Sequence, residues 1–170
     1  MNSPVDDIDR VLFPVELHDQ LLDTVLHRYP QKSFGYLASK TALNIPTDFV
    51  LFEENIRNDD DWRDEFESRG RYFVDHPDAG FVATPAESWR IQKYLFERNL
   101  REIAVFHTHR RHPGNFSDID YDLHISRFSS LWHLIISLRN VRLPQLRAFR
   151  VSRTGVRELE LQIVRTWTCQ

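Results

Sequence analysis

Two histidines and an aspartate stand in this sequence at a spacing that suits a metal ion. His107, Thr108 and His109 are followed after seven residues by Ser117, and Asp120 comes three positions later. Side chains alternate along an extended strand, so the imidazoles at i and i+2 lie on one side and can chelate one ion. Asp120, at the start of a following helix, would complete a three-ligand set. The fourth tetrahedral position is then left to water, as in catalytic zinc sites.

Each half of this pattern also has an ordinary structural explanation. Ser117 and Asp120 form a capping box, in which a serine and an acid satisfy free amides at a helix start. A single His-x-His pair is a weak signal, so the joint spacing is what favours a metal site. Two more histidines are open to either interpretation. We assign His112 to a loop and His124, at i+4 from Asp120, to a supporting position.

Two helices are predicted to flank the segment that carries the histidines. Apolar residues at helical spacing, ending at Pro30, predict a helix over residues 15–29. Residues 84–87 combine a threonine N-cap, a proline at the first helical position and a capping-box glutamate, which predicts a helix over residues 85–98. Its expected buried anchors are Trp89, Ile91, Leu95 and Phe96.

The strands are predicted from short aromatic and β-branched runs. The apolar run at 103–106 precedes the histidines directly, as expected of a buried central strand that delivers ligands at its end. The acidic segment 58–67 is expected to be a solvated excursion. The fold class is therefore α/β or α+β, with one mixed β-sheet flanked by helices and a mostly antiparallel end. The other predicted strands span residues 34–38, 49–52, 132–138, 146–151 and 158–164.

The composition predicts one globular domain over residues 1–170. Hydrophobic residues make up 41% and charged residues 28% of the 170 positions, close to the averages for folded domains. A net charge of -3 supplies no basic field for nucleic acid. Cys169 is the one cysteine, which excludes a disulfide framework and a thiolate zinc site. An acidic start and the lack of a long apolar run predict no membrane span and a cytoplasmic location.

The spacing His-Thr-His, seven residues, Ser, two residues, Asp resembles the JAMM (JAB1/MPN/Mov34) zinc metallopeptidase signature. The resemblance extends over most of the chain and is to a prokaryotic-type single domain of the MPN/cytidine-deaminase-like architecture. It implies one Zn²⁺ ion held by His107, His109 and Asp120, with Ser117 stabilising the tetrahedral intermediate. It also implies cleavage of a peptide or isopeptide bond at the C-terminal tail of a ubiquitin-like or sulfur-carrier protein. The oligomeric state is left open.

One position departs from that family. Its active members carry a general-base glutamate three residues before the glycine of the first strand, and Lys32 stands at that position before Gly35. Three candidates could replace the base: a neutral Lys32, either Glu53 or Glu54 on the next strand, or zinc hydroxide with little help. Loss of a general base typically costs 10²–10⁴-fold in rate. Two alternatives follow: a zinc-binding MPN-type pseudoenzyme that serves as a scaffold, and a zinc hydrolase of a small amide.

Two arginines follow the second histidine, where the family usually has a proline. Arg110 and Arg111 flank the candidate site and could bind a substrate carboxylate or an acidic tail. The alternative is that they are solvated loop charges.

Overall fold

The computed structural model describes residues 8–125 and 127–165, apart from the side chains of Ile119 and Leu123. The acidic start at residues 1–7 and Cys169 lie outside the described residues. In chain order the elements are β1 Arg10–Pro14, α1 Val15–His27, β2 Phe34–Ser39, β3 Asp48–Leu51, α2 Asp60–Ser68, α3 Arg71–Asp75, α4 Pro85–Glu97, β4 Arg101–His109, α5 Asp118–Ile125, β5 Trp132–Ser137, β6 Gln145–Ser152 and β7 Gly155–Val164.

The described strands form a mixed sheet of seven in the order β1-β7-β6-β5-β4-β2-β3. The pairs β1–β7 and β4–β5 are parallel, and the remaining pairs are antiparallel. β4 lies between β2 and β5, so both of its edges are paired up to the histidines at its end. The fold is α+β, as predicted, and its C-terminal strands are antiparallel.

Apolar side chains divide between two clusters that share the sheet. The larger cluster joins α1 to the strands through residues such as Leu21 and Phe106. The smaller cluster joins α4 to the strands through residues such as Ile91 and Val105. Gly35 permits this packing, since a Cβ there would lie 2.1 Å from the Val50 carbonyl oxygen. As predicted, four strand residues are almost fully buried: Ile103, Val105, Leu134 and Ile136.

The structure corrects the predicted anchors of α4. Ile91 and Leu95 are buried, whereas Trp89 is 73% exposed and Phe96 is 84% exposed. Successive helical residues are about 100° apart, so Trp89 and Phe96 lie well away from the face that Ile91 and Leu95 present to the sheet. Both helix predictions are otherwise confirmed, with ends one or two residues shorter.

The segment after β3, which was predicted to be a solvated stretch, forms the two short helices α2 and α3. Most of α2 is exposed, but Phe66 is buried and packs against Phe73 of α3 with ring centroids 5.3 Å apart. Arg57 is buried beside them and donates hydrogen bonds to the carbonyl oxygens of Phe73 and Ala79, each at 2.8 Å. These contacts hold the segment before α2, the helix α3 and the segment after α3 together.

Strand β1 was not predicted, because it has only five residues and one of them is a proline. It pairs with β7 in parallel and is the edge strand of the sheet beyond β7. Among the described helices, none is both long and apolar enough to cross a membrane.

Candidate metal centre

The end of β4 places His107 and His109 on the same side of the sheet. Their Nε2 atoms lie 3.0 Å apart. His107 is 2% exposed, and its backbone is in register with Phe34 on β2. The Nδ1 atom of His109 lies 3.0 Å from the Pro113 carbonyl oxygen. Because that oxygen can only accept, Nδ1 carries the proton and Nε2 keeps a lone pair for a ligand.

Asp120 reaches both imidazoles from the first turn of α5. Its Oδ1 lies 3.3 Å from His107 Nε2, and its Oδ2 lies 3.5 Å from His109 Nε2. Ser117 caps the helix at the same time: its Oγ accepts from the Asp120 amide at 3.1 Å and donates to Asp120 Oδ2 at 2.7 Å. The Ser117 amide donates to the same Oδ2 at 3.1 Å. The capping box is thus formed, and it orients the carboxylate toward the histidines.

The separations of these donor atoms fit a single ion. In a tetrahedral zinc site with bonds of about 2.0–2.1 Å, neighbouring ligand atoms lie roughly 3.3–3.4 Å apart. The observed separations among His107, His109 and Asp120 are 3.0, 3.3 and 3.5 Å. The structure therefore brings together the three residues that sequence spacing predicted, in a geometry that could hold one divalent cation.

His124 also lies close enough to His107 and Asp120 to be a candidate metal ligand. Ligand atoms of His107, Asp120 and His124 also fall within 4.8 Å of one another, which makes a second candidate donor set. The rings of His107 and His124 are parallel within 14°, with centroids 5.6 Å apart, so much of their contact is stacking. We favour the set that contains His109, because its separations of 3.0–3.5 Å suit one ion and because it is the set that the sequence spacing predicts.

Burial and charge keep His107 neutral and Asp120 ionised, the protonation states in which they can bind a metal. Burial lowers the pKa of His107 to about 4, although the charge of Asp120 opposes this. Burial by itself would raise the pKa of Asp120, but its close contacts with the His107 and His109 rings and the nearby Lys32 hold that pKa well below its usual range. Neutral imidazoles and an ionised carboxylate are the forms that bind metals.

Lys32 is partly buried and lines the same cavity as the histidines. Its Nζ donates to the Thr108 carbonyl oxygen at 3.3 Å, and reciprocal bonds between Ser33 and Thr108 hold the two segments together. Burial lowers the pKa of Lys32, while the negative charges of Asp120 and Asp78 oppose that change. The residue at the family's base position thus faces the candidate metal centre.

Glu53 and Glu54 lie elsewhere. The Glu53 carboxylate binds the Arg28 guanidinium at 2.6 Å. Both residues line a separate depression near Glu87 and Arg90. Among the described residues that line the cavity at the metal centre, neither glutamate is present. The structure does not bring these two carboxylates to the histidines, and a role for either as the base has no geometric support.

A cavity of about 640 Å³ opens beside the metal centre. Arg110 and Arg111 stand at its wall and both bind Asp78, at 3.2 Å and 2.7 Å. Burial opposes ionisation of Asp78, but hydrogen bonds from Arg111 and Arg110 outweigh it and lower the pKa. The arginines are thus partly neutralised by a residue that sequence reasoning missed, because nothing in the segment 58–83 indicated its approach to β4.

His112 lies at this wall as a loop residue, as predicted. Its Nε2 is 2.8 Å from the hydroxyl of Tyr72 in α3. This contact and the ion pairs of Asp78 connect residues 72–78 to the loop after β4. Residues 72–78 therefore contribute to one side of the cavity.

Comparison with solved structures shows an MPN-type fold. A protein from Desulfitobacterium hafniense is 18% identical, with a TM-score of 0.67 over 92% of this chain and 94% of its own. A protein from Salinibacter ruber is 20% identical, with a TM-score of 0.58 over 91% of each chain. A JAB1/MPN domain protein from Archaeoglobus fulgidus is 15% identical, with a TM-score of 0.50 over 91% of this chain and 99% of its own. No family model and no curated protein matches the chain.

Proposed function

We infer that this protein is a zinc-dependent metallopeptidase or isopeptidase of the JAMM type. The observation that carries this inference is the convergence of His107, His109 and Asp120, with donor atoms 3.0–3.5 Å apart beside a large cavity. Two imidazoles and one carboxylate are the three-ligand class used by catalytic zinc, which keeps one position open. The MPN-type fold of the solved neighbours supports the same assignment.

The residues around the cluster have separate roles in the proposed hydrolysis. Zinc, when bound by the three ligands, supplies a Lewis acid that polarises the substrate carbonyl and lowers the pKa of water to about 7. Ser117 Oγ, which donates to Asp120 in this structure, is the hydroxyl we assign to the developing oxyanion. The water oxygen bonds to the carbonyl carbon, the carbon–nitrogen bond breaks, and a proton lost by that water passes to the nitrogen of the leaving amine.

The expected substrate is the C-terminal tail of a ubiquitin-like or sulfur-carrier protein. This expectation rests on the resemblance of the sequence motif. Arg110 and Arg111 at the cavity wall support it, since a second anion could displace Asp78 and bind the pair of guanidinium groups.

A second function is favoured by one observation. Lys32 places a buried amine where a carboxylate base would be needed. A chain that binds zinc and lacks a base would be a pseudoenzyme that acts as a scaffold.

The test measures zinc content and tail cleavage on the same samples. Wild type should carry about one zinc and cleave a linear fusion of a ubiquitin-like protein, whereas His107→Ala should lose both properties. Lys32→Glu tests the second function. If wild type binds zinc and cleaves nothing while Lys32→Glu cleaves, the pseudoenzyme is correct and the peptidase proposal is wrong. If wild type binds no zinc, both fail.

A further inference from the structure

Lys32 differs from the two other lysines of this chain in its surroundings. The Lys40 side chain is 63% exposed, and its Nζ lies 3.9 Å from Asp48 Oδ2. The Lys93 side chain is also 63% exposed, and its Nζ lies 3.7 Å from Glu97 Oε1. Lys32 is partly buried in the wall of the cavity at the metal centre. In the part of the chain that the structure describes, the acids that line this cavity are paired with other residues and not with Lys32.

The Lys32 amine is held against the segment that carries the two histidines. Its Nζ donates to the Thr108 carbonyl oxygen at 3.3 Å, and Thr108 stands between His107 and His109 on β4. The Ser33 amide donates to Thr108 Oγ1 at 2.8 Å, and the Thr108 amide donates to the Ser33 carbonyl oxygen at 3.0 Å. The backbone next to Lys32 is therefore fixed, while the amine itself has one long hydrogen bond to a neutral acceptor.

The cavity has no carboxylate free to accept a proton among the described residues that line it. Its acids there are Asp78 and Asp120. Asp120 is directed toward the imidazoles of His107 and His109, and Asp78 is paired with two arginines. Hydrolysis by an attacking water requires a group that takes up the proton of that water. The site thus has an amine available and lacks a free carboxylate.

The surroundings of Lys32 favour an amine that can react as a nucleophile. Burial lowers the pKa of Lys32, although the negative charges of Asp120 and Asp78 oppose this. A divalent cation held by the candidate ligands would act in the same direction as burial, since it repels an ammonium. A neutral lysine amine keeps its lone pair and attacks electron-poor carbon. Carbon dioxide is such an electrophile, and a cavity of about 640 Å³ admits a molecule of its size.

We propose that Lys32 is a carbamylation site, where carbon dioxide converts the amine into a carboxylate that accepts the proton of the attacking water. The nitrogen lone pair bonds to the carbon of CO₂, one carbon–oxygen π pair moves onto oxygen, and one amine proton passes to water. The carbamate nitrogen keeps one hydrogen for the Thr108 carbonyl oxygen. Carbamate formation needs no catalysis of peptide cleavage, whereas the role as proton acceptor rests on the proposed function.

The spectroscopic test detects the new nitrogen–carbon bond. Full-length protein with ¹⁵N only at the lysine Nζ atoms is equilibrated with ¹³C-bicarbonate in the presence of zinc. A carbamate carbon bonded to a labelled nitrogen gives a ¹³C doublet through one-bond coupling. Bicarbonate, dissolved CO₂ and a carbamate of the N-terminal amine give no such splitting. Wild type should show the doublet, and its absence would overturn the proposal.

Variants of the three lysines locate the carbamate. Lys32→Gln should abolish the doublet. The double variant Lys40→Gln/Lys93→Gln is the matched control, because Lys32 is then the only lysine in the chain, and it should keep the doublet at full intensity. This variant tests the site even if Lys32→Gln does not fold. A doublet that is lost from the double variant, or that persists in Lys32→Gln, would overturn the proposal.

The kinetic test measures tail cleavage in CO₂-free buffer and in buffer with bicarbonate. For zinc-loaded wild type, kcat/KM should rise at least about tenfold with bicarbonate, because a general base contributes 10²–10⁴-fold. Lys32→Glu carries a permanent carboxylate and should not respond. It also controls for direct effects of bicarbonate on the metal centre.

The two tests together separate this inference from the proposed function. A doublet and a bicarbonate-dependent kcat/KM in wild type alone support both conclusions. A doublet from Lys32 without cleavage in either buffer supports carbamylation and defeats the hydrolase. Cleavage without a doublet supports the hydrolase and overturns carbamylation. A doublet with cleavage that bicarbonate does not change overturns the carbamate as the proton acceptor.

Discussion

Two helices in this molecule begin with a capping-box sequence, a hydroxyl residue followed three positions later by an acid, and the two acids have different neighbours. At the start of α4, Thr84 Oγ1 accepts from the Glu87 amide at 3.1 Å. At the start of α5, Ser117 Oγ accepts from the Asp120 amide at 3.1 Å. The Glu87 carboxylate then binds the amides of Glu53 and Glu54, at 2.5 Å and 3.1 Å. The Asp120 carboxylate turns toward two imidazoles.

The comparison shows that the hydroxyl N-cap determines where each helix starts, whereas contacts elsewhere in the fold determine what the acid binds. Around Glu87 the partners of the carboxylate are backbone amides and the Arg90 guanidinium, all of them donors that satisfy the charge. Around Asp120 two of the neighbours are imidazole nitrogens, a type of atom that often binds metals. The first box is therefore structural, and the second is structural and a candidate metal site.

The largest effect should come from removing the charge of Asp120. Asp120→Asn keeps the size of the side chain but replaces an anionic ligand with a neutral amide, so zinc affinity should fall at least about 100-fold. Glu87→Gln is the matched control in the other box and should bind zinc as wild type does. Zinc titration against a competing chelator measures both. Equal affinity in wild type and Asp120→Asn would remove Asp120 from the ligand set.

The next effect is expected in stability. Glu87 is 6% exposed and accepts two backbone hydrogen bonds, and bonds to charged groups contribute about 1.5–3 kcal/mol. Glu87→Gln should therefore lower the free energy of unfolding of metal-free protein by about 2 kcal/mol, measured by urea denaturation. An unchanged free energy of unfolding in Glu87→Gln would show that the charge of Glu87 does not stabilise the fold.

Acid should lower the stability of the folded protein, because histidines lie close together around Asp120. His133 on β5 is fully buried, and its ring lies 4.3 Å from that of His124. Burial and the charge of His107 lower the pKa of His133 to about 3, although Asp120 and the Phe128 backbone oppose this. The unfolded chain, with a pKa near 6.5, then binds a proton that the folded chain does not.

Stability is therefore greatest above pH 6.5 and falls as the pH drops toward 3. Each such histidine contributes about 1.4 kcal/mol per pH unit within that window. His133→Leu should reduce the slope of the free energy of unfolding between pH 6 and pH 5 by about that amount. Urea denaturation of chelator-treated protein at several pH values measures it. An unchanged slope in His133→Leu would show that His133 titrates as it does in the unfolded chain.

The smallest effect is expected for Glu53 and Glu54, the two glutamates whose amides bind Glu87. Glu53 is paired with Arg28, and Glu53 and Glu54 lie outside the cavity of the metal centre. Glu53→Gln and Glu54→Gln should change kcat/KM for tail cleavage by less than about threefold, far below the 10²–10⁴-fold cost of losing a general base. A hundredfold loss of kcat/KM in one of the two variants would show that this glutamate acts as the general base.

Much of the site followed from the sequence because its parts are local. The two imidazoles of His107 and His109 share a side through strand alternation, and Ser117 and Asp120 meet through one turn of helix. Both patterns depend on residues a few positions apart, as do the periodicities that predicted α1 and α4. Only the joint spacing linked the strand to the helix, and the structure brings those parts together.

The tertiary structure decided what depends on residues far apart in the chain. Sequence alternation allowed either Glu53 or Glu54 to reach the histidines, but Glu87, more than thirty positions away, binds their amides and holds that segment elsewhere. The rings of Phe34 and Phe128 likewise meet although they are nearly a hundred positions apart, and no local periodicity encodes their contact. Such contacts form only when the sheet and helices pack, since packing determines which side chains face a shared space.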